Sequence, residues 1–465
     1  MKSGIIGTYF STPSFYKKAL RLALPICLQQ ALNQGASFLD TMMVSHVGGV
    51  GAVTVATQID NLLMLVGFGV NSCILIFASQ FFGAGNRRNL KRCFGLQLLL
   101  NVCIALAFFL LAKLGGTWFL SFFSDDARLI ELAKQYISIS AFSYFFTALI
   151  NGYTFMYRSV QTTKVPMLLG LATNCLNALL NYLLIFGKCG FPMLGVEGAA
   201  IATLLSRVAE FVVCLICALR SRVIPLDWKA LARPGGEMLR RFVKYSSPVL
   251  VNELFWGLGN SLLTVILGHT VISVEFLAAN AVMGNLNRLF LVVCFGLGAA
   301  TAVIIGKAIG EGQSREELMA LSRTLSWVTI LVGVVLAVVA LALVPLLFQP
   351  VIFPLFKLEG LSAHLATTLA VTGFACIPFH AYSISAVTGI LRAGGDVFWS
   401  TALDLGPQWL IALPLTALLG LVLNADPWFV SLAIQAESFV KCPICLWRIR
   451  SEKWIHDVTL PEGQS

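Results

Sequence analysis

Charged side chains are scarce in this chain. Asp, Glu, Lys and Arg make up 12% of its 465 residues, against about a quarter in ordinary soluble domains. Histidine is scarcer still, at five copies, and no clustered His, Asp or Ser motif at helical spacing marks a catalytic centre. An enzyme embedded in the membrane is therefore not expected, and neither is a metal or an organic cofactor. A second CxxC is also missing. Cys442 and Cys445 stand alone on a terminal apolar stretch, and most of the twelve cysteines, Cys27, Cys73, Cys103, Cys214, Cys217 and Cys294 among them, lie inside apolar runs as small hydrophobes. No cleavable signal peptide is evident, because the first apolar stretch is long enough to be a span.

What the chain has instead is apolar surface, 58% of its residues, more than a water-soluble core of this length can hide. A span needs about 20 such residues. Candidate spans fall at 16–45, 51–81, 92–122, 129–157, 164–187, 194–219, 240–267, 276–307, 319–348, 364–391, 398–423 and 428–448. In lipid every backbone polar group must be satisfied internally, and segments this long exclude a β-barrel. The expected fold is an all-α polytopic membrane protein of about twelve helices.

The formal net charge of +10 invites a nucleic-acid reading, but its placement argues against one. Lys17, Lys18 and Arg21 precede the first span; Arg87, Arg88, Lys91 and Arg92 follow the second; Arg220, Arg222, Lys229, Arg233, Arg240, Arg241 and Lys244 fill the central connection; Arg448, Arg450 and Lys453 end the chain. The alternate connections hold few cations, such as Arg128, Lys134, Lys188 and Lys357. This is the positive-inside pattern, with both termini expected in the cytosol.

The chain repeats itself. Pro25 and His46 match Pro248 and His269 at an offset of 223. Phe68-Gly69 and Gly83–Asn86 match Phe295-Gly296 and Gly310–Gln313 at 227, and Arg158 matches Arg392 at 234. Two six-helix lobes follow, residues 1–219 and 245–465, joined by a basic linker over 220–244 that carries Pro225, Pro234 and Gly235-Gly236. Six is even, so the lobes insert alike and are expected to be related by a pseudo-two-fold axis along the membrane normal. Gly-x-Gly here has no βαβ context and marks tight turns, not a phosphate cradle.

These features resemble the multidrug and toxic compound extrusion (MATE) family of cation-coupled exporters. The carrying residues are Pro25, Gln29-Gln30 and Asp40, then Gln80–Asn86, Asn177–Asn181, Gly195–Thr203 and Leu391–Asp396. The resemblance runs from about 15 to 455 and lies closer to the DinF-like branch. It implies an antiporter that exports small organic, cationic compounds by alternating access in exchange for H⁺ or Na⁺. It also implies that Asp40 is the coupling aspartate and that Asn177, Asn181 and Thr203 belong to the ion site. Asn181 stands where some DinF-like relatives carry a second aspartate, which leaves the ion open, with a slight lean to protons. The alternative within the superfamily is a flippase for a lipid-linked precursor, which would be expected to carry more basic residues in its cavity. Expected partners are the substrates and the bilayer, with no nucleic acid, and the protein is expected to be a monomer.

Ionisable groups inside spans cost at least about 2.5–3.5 kcal/mol each, so each needs a reason. Arg207 with Glu210, and Glu437 with Lys441, sit at i,i+3 and i,i+4 and read as structural pairs. Asp40, Asp60, Glu253 and Asp404 have no local partner, with Arg288 the remaining intramembrane cation. Asp40, Glu253, Phe38, Met43 and Phe68 are candidate substrate contacts, joined by Met42 and Phe255 on an adaptable apolar wall; Asp60, Asp404 and Asn151 are secondary candidates. His46 and His269 read as interfacial residues. Cys93 is expected on the cytosolic side and Cys189 outside.

Overall fold

The computed structural model describes residues 13–46, 50–121, 127–221 and 235–459. Long runs of Leu, Val, Ile and Ala can satisfy their own backbone only as helices, and helices are what they form: α1 Pro13–Ser45, α2 Val50–Gly83, α3 Arg87–Leu114, α4 Gly116–Ser121, α5 Ala127–Ser140, α6 Ser143–Ser159, α7 Lys164–Phe186 and α8 Gly195–Arg220. The second half continues with α9 Gly236–Gly268 and α10 Ser273–Gly310. It ends with α11 Arg315–Leu355, α12 Leu361–Ala375, α13 Ile377–Leu391, α14 Val397–Val422 and α15 Pro427–Arg450. Among the described residues, nine helices are long and apolar enough to cross a bilayer, and α12 with α13 makes a tenth span, bent by 47°. α1 is long enough as well, at 33 residues, but carries more polar groups. The remaining expected span, 129–157, is two helices, α5 and α6, broken at Ala141-Phe142. The architecture is that of an all-α, twelve-helix, two-lobe membrane protein.

The repeat shows in the turns. Gly85 and Gly312, 227 positions apart, both take left-handed φ (67° and 71°), where a side chain would be strained. Each turn leads into a capped helix. Asn86 accepts from the Asn89 amide at the start of α3, and Ser314 forms a reciprocal capping box with Glu317 at the start of α11.

The chain divides into two compact units, Leu28–Ser246 and a second made of Ser247–Ser465 with the chain up to Cys27. The middle of the expected linker, residues 222–234, lies outside the described residues. In the Leu28–Ser246 unit, Val44, Ile59, Ile137, Tyr144, Ile185 and Ala200 form the main core, and Phe77 packs its ring edge-on to Tyr245 at the start of α9 (5.4 Å). In the other unit Leu22, Ala23 and Ile26 of α1 pack against Ala300 of α10. There the turn at Leu391–Asp396 is closed by the end of the chain. Arg448 donates to Asp396 (2.7 Å), and Trp454 is buried against Gly394 while its indole donates to the Ile449 carbonyl (3.0 Å).

Candidate functional site

In the Leu28–Ser246 unit, α1, α2, α5, α6, α7 and α8 bring polar groups together at the buried centre. Asn177 and Asn181 share one face of α7, four residues apart. Asn181 Nδ2 donates to Asp40 Oδ1 on α1 (2.6 Å) and to Asn177 Oδ1 (3.2 Å), while Asn181 Oδ1 is buried with no hydrogen-bond partner. α8 is held against α7 by Gly198. A Cβ there would stand 2.6 Å from the Leu184 carbonyl oxygen, so only glycine permits the two helices to approach this closely. The Thr203 hydroxyl donates to the Ala199 carbonyl (3.0 Å) and lies within reach of Tyr136 on α5.

Asp60 joins this group from α2. It faces Tyr144 of α6, yet Asp60 Oδ1, the Tyr144 hydroxyl and the Ser140 hydroxyl are all buried without a hydrogen bond of good geometry. Arg207 of α8 forms the expected bridge to Glu210 (2.7 Å), and its charge also acts on both Asp40 and Asp60. Tyr136, Tyr144 and Ser140 carry no signal in the sequence beyond an ordinary apolar helix pattern.

Other candidates fall elsewhere. Asn151 contacts Met64 Sδ (3.3 Å), not the Asp40 cluster. Met43 packs against the core, and Phe68 is partly exposed with its ring edge-on to Phe155 (5.8 Å). The side chain of Phe38 lies outside the described residues. His46 and His269 contact the carbonyls one turn back, of Met42 and Val265 (2.9 and 2.8 Å).

The second unit holds a different network. Arg392 donates to Glu253 (3.0 Å), Asn252 to Asp404 (2.9 Å), and Lys441 to Asp404 (2.9 Å) and Glu437 (3.4 Å). Asp404 and Glu253 therefore do have cationic partners, Lys441 and Arg392, which sit 37 and 139 residues away in sequence. The Glu437–Lys441 pair is not self-contained, since Lys441 makes its shorter contact to Asp404. Arg288 is exposed on α10. Phe255 meets Trp409 edge-on (5.7 Å). A parallel contact in the other unit is neutral: Arg158, the repeat counterpart of Arg392, donates to Gln29 on α1 (2.7 Å), the neighbour of Gln30, which the offset of 223 pairs with Glu253.

Two repeated helical halves with buried carboxylates at their centres define a polytopic membrane transporter. The model of the MatE family matches residues 25–183 and again 248–418, two segments whose starts differ by 248 − 25 = 223, the offset of the prolines, and the chain belongs to that family. Among its relatives, the uncharacterized transporter YisQ of Bacillus subtilis is 24% identical over 444 residues, covering 93% of this chain and 94% of that protein. The multidrug resistance protein NorM of Vibrio vulnificus is 27% identical over 336 residues, 70% of this chain and 71% of its own length. In fold, the chain matches a multidrug resistance MATE family transporter of the MOP superfamily in its outward-facing conformation, at TM-score 0.85 and 16% identity, with 94% and 96% of the two chains covered. A MOP superfamily transporter from Pyrococcus furiosus, whose reversed binding-pocket polarity suggests a different function for it, matches at 0.84 and 16% identity with the same coverage.

Proposed function

We propose that this protein is a proton-coupled antiporter that exports small organic cations across the bacterial cytoplasmic membrane, with both termini in the cytosol and Asp40 as the coupling acid. The observation that carries the reading is the hydrogen bond from Asn181 to Asp40 at 2.6 Å within a buried amide pair.

The chemistry follows from donor and acceptor counts. An ionised carboxylate only accepts, so Asn181 turns its N–H groups to Asp40 and Asn177 and leaves its own oxygen unpaired. A protonated Asp40 becomes a donor and can serve that oxygen. Proton uptake thus reverses the sense of the Asp40–Asn181 contact and removes the negative charge that attracts an organic cation. Proton and substrate then compete for one carboxylate, which is the condition for exchange. Desolvation penalises the charged form of a buried acid and favours such uptake.

Sodium would need several oxygens converging on one point. Here an amide N–H, not a further oxygen, meets Asp40, and that favours the proton. Asp60, under the influence of the same Arg207, is the second acid of the site in this reading, and Phe68 offers an aromatic surface to an apolar substrate body. The test is uptake of a fluorescent organic cation into inverted vesicles under separately imposed H⁺ and Na⁺ gradients. Accumulation under the pH gradient alone is expected; accumulation that requires sodium at clamped pH would replace the proton with sodium.

A further inference from the structure

A groove of about 710 Å³ opens on the second unit between α11, α13 and α15, far in sequence from Asp40 and apart from the Glu253 and Asp404 network. Its volume falls within the range of small-ligand sites, roughly 300–1,000 Å³. Two prolines line it. Pro378 sits at the bend between α12 and α13, and Pro443 lies inside α15; each lacks a backbone donor and crowds the preceding turn. The three helices touch beside it. Phe379 and Phe439 meet edge-on at 4.9 Å, and a Cβ on Gly333 of α11 would stand 2.8 Å from Pro378 Cα.

The groove has two ends of different character. Trp327, Ile330, Val334, Phe379 and Leu446 give it an apolar floor. At the other end stand Arg323 of α11 and Arg450, the last residue of α15, both exposed. Tyr382 of α13 also lines the groove; it is nine-tenths buried, and its hydroxyl has no hydrogen-bond partner and feels the charge of Arg450. A buried phenol without a partner is costly, and an acceptor brought to it would remove that cost. From Arg323 to Val334 is eleven residues, about 16 Å of helix, close to the depth of one leaflet of a bilayer whose core is about 30 Å thick.

The geometry points to a binding site for an anionic phospholipid, with its phosphate between Arg323, Arg450 and the Tyr382 hydroxyl and one acyl chain along the floor. Two guanidiniums at one end of an apolar trough select for negative charge, and the trough selects for a lipid over a free phosphate. Basic pockets between spans at the membrane surface hold anionic headgroups by the same physics. The site is independent of the coupling chemistry at Asp40.

The experiment uses the full-length protein in nanodiscs of phosphatidylcholine doped with dibrominated lipid, which quenches nearby tryptophan. Trp327 is the tryptophan that lines the groove, and subtracting the signal of Trp327→Phe isolates it. Dibrominated phosphatidylglycerol is expected to quench Trp327 at lower mole fraction than dibrominated phosphatidylcholine, with a preference of about fivefold for each arginine in contact. Arg323→Gln/Arg450→Gln should abolish the preference and Tyr382→Phe should about halve it. Soluble glycerol phosphate should not compete. Equal quenching by the two lipids, an unchanged preference in either variant, or competition by glycerol phosphate would overturn the assignment.

Discussion

At the scale of the residue, Asp40 and Glu253 are both intramembrane acids, and their surroundings separate them. Asp40 meets a neutral amide, so its charge is free to change. Glu253 meets Arg392, whose side chain is 3% exposed against 12% for the glutamate, so its charge is matched. Replacing Asp40 by Asn keeps shape and hydrogen bonding but removes titration; membrane levels should be normal and gradient-driven efflux lost. Replacing Glu253 by Gln instead strands a buried guanidinium, at a cost of about 3–5 kcal/mol. A lowered melting temperature is expected for Glu253→Gln, with most of the loss restored in Glu253→Gln/Arg392→Gln. A double variant no more stable than the single one would show that the pair is not what Glu253 is for. The acids themselves were legible in the sequence, because an unexplained charge in an apolar run announces itself. Their partners were not. Lys441 looked satisfied by Glu437 one turn away, and Arg392 sat in what read as a loop motif, so neither offered itself to Asp404 or Glu253.

At the scale of the element, the site depends on how closely α7 and α8 approach. The motif Gly195–Thr203 was recognisable as a pattern, but its physical reason, a backbone contact at Gly198, exists only in three dimensions. Gly198→Ala would push a methyl into the Leu184 carbonyl, where overpacking costs about 1–3 kcal/mol. It should lower thermal stability by that order and slow transport by parting α8 from the helix that carries Asn177 and Asn181; wild-type behaviour in both assays would show that the helices tolerate the separation. Asn177 and Thr203, which the family resemblance assigns to the ion site, should slow transport when changed to Ala without stopping it, since neither carries the proton. The break in the fourth span and the bend at Pro378 differ in how far they could be read. Pro378 is a local signal, whereas Ala141-Phe142 carries no proline or glycine to mark the break.

At the scale of the whole molecule, the repeat and the charge asymmetry carry the topology. Cys93, expected on the cytosolic side, is buried in α3 with its sulfur near Met238 (3.9 Å), so its silence towards a thiol reagent would report burial and not sidedness. Cys189 is exposed, and Arg88 is exposed in the first turn of α3. With each as the only cysteine, a membrane-impermeant maleimide on intact cells should label Cys189 and spare Arg88→Cys until the membrane is permeabilised. The opposite pattern would invert the topology.

In the proposed mechanism one carboxylate exchanges a proton for an organic cation. This exchange is tested most directly by following proton flux with a pH-sensitive dye in proteoliposomes free of sodium while an organic cation is added to the wild type and to Asp40→Asn. Substrate-dependent proton movement is expected in the wild type and none in the variant at equal protein content. Proton movement that survives in Asp40→Asn, or transport by the wild type that moves no protons and appears only when sodium is supplied, would contradict it.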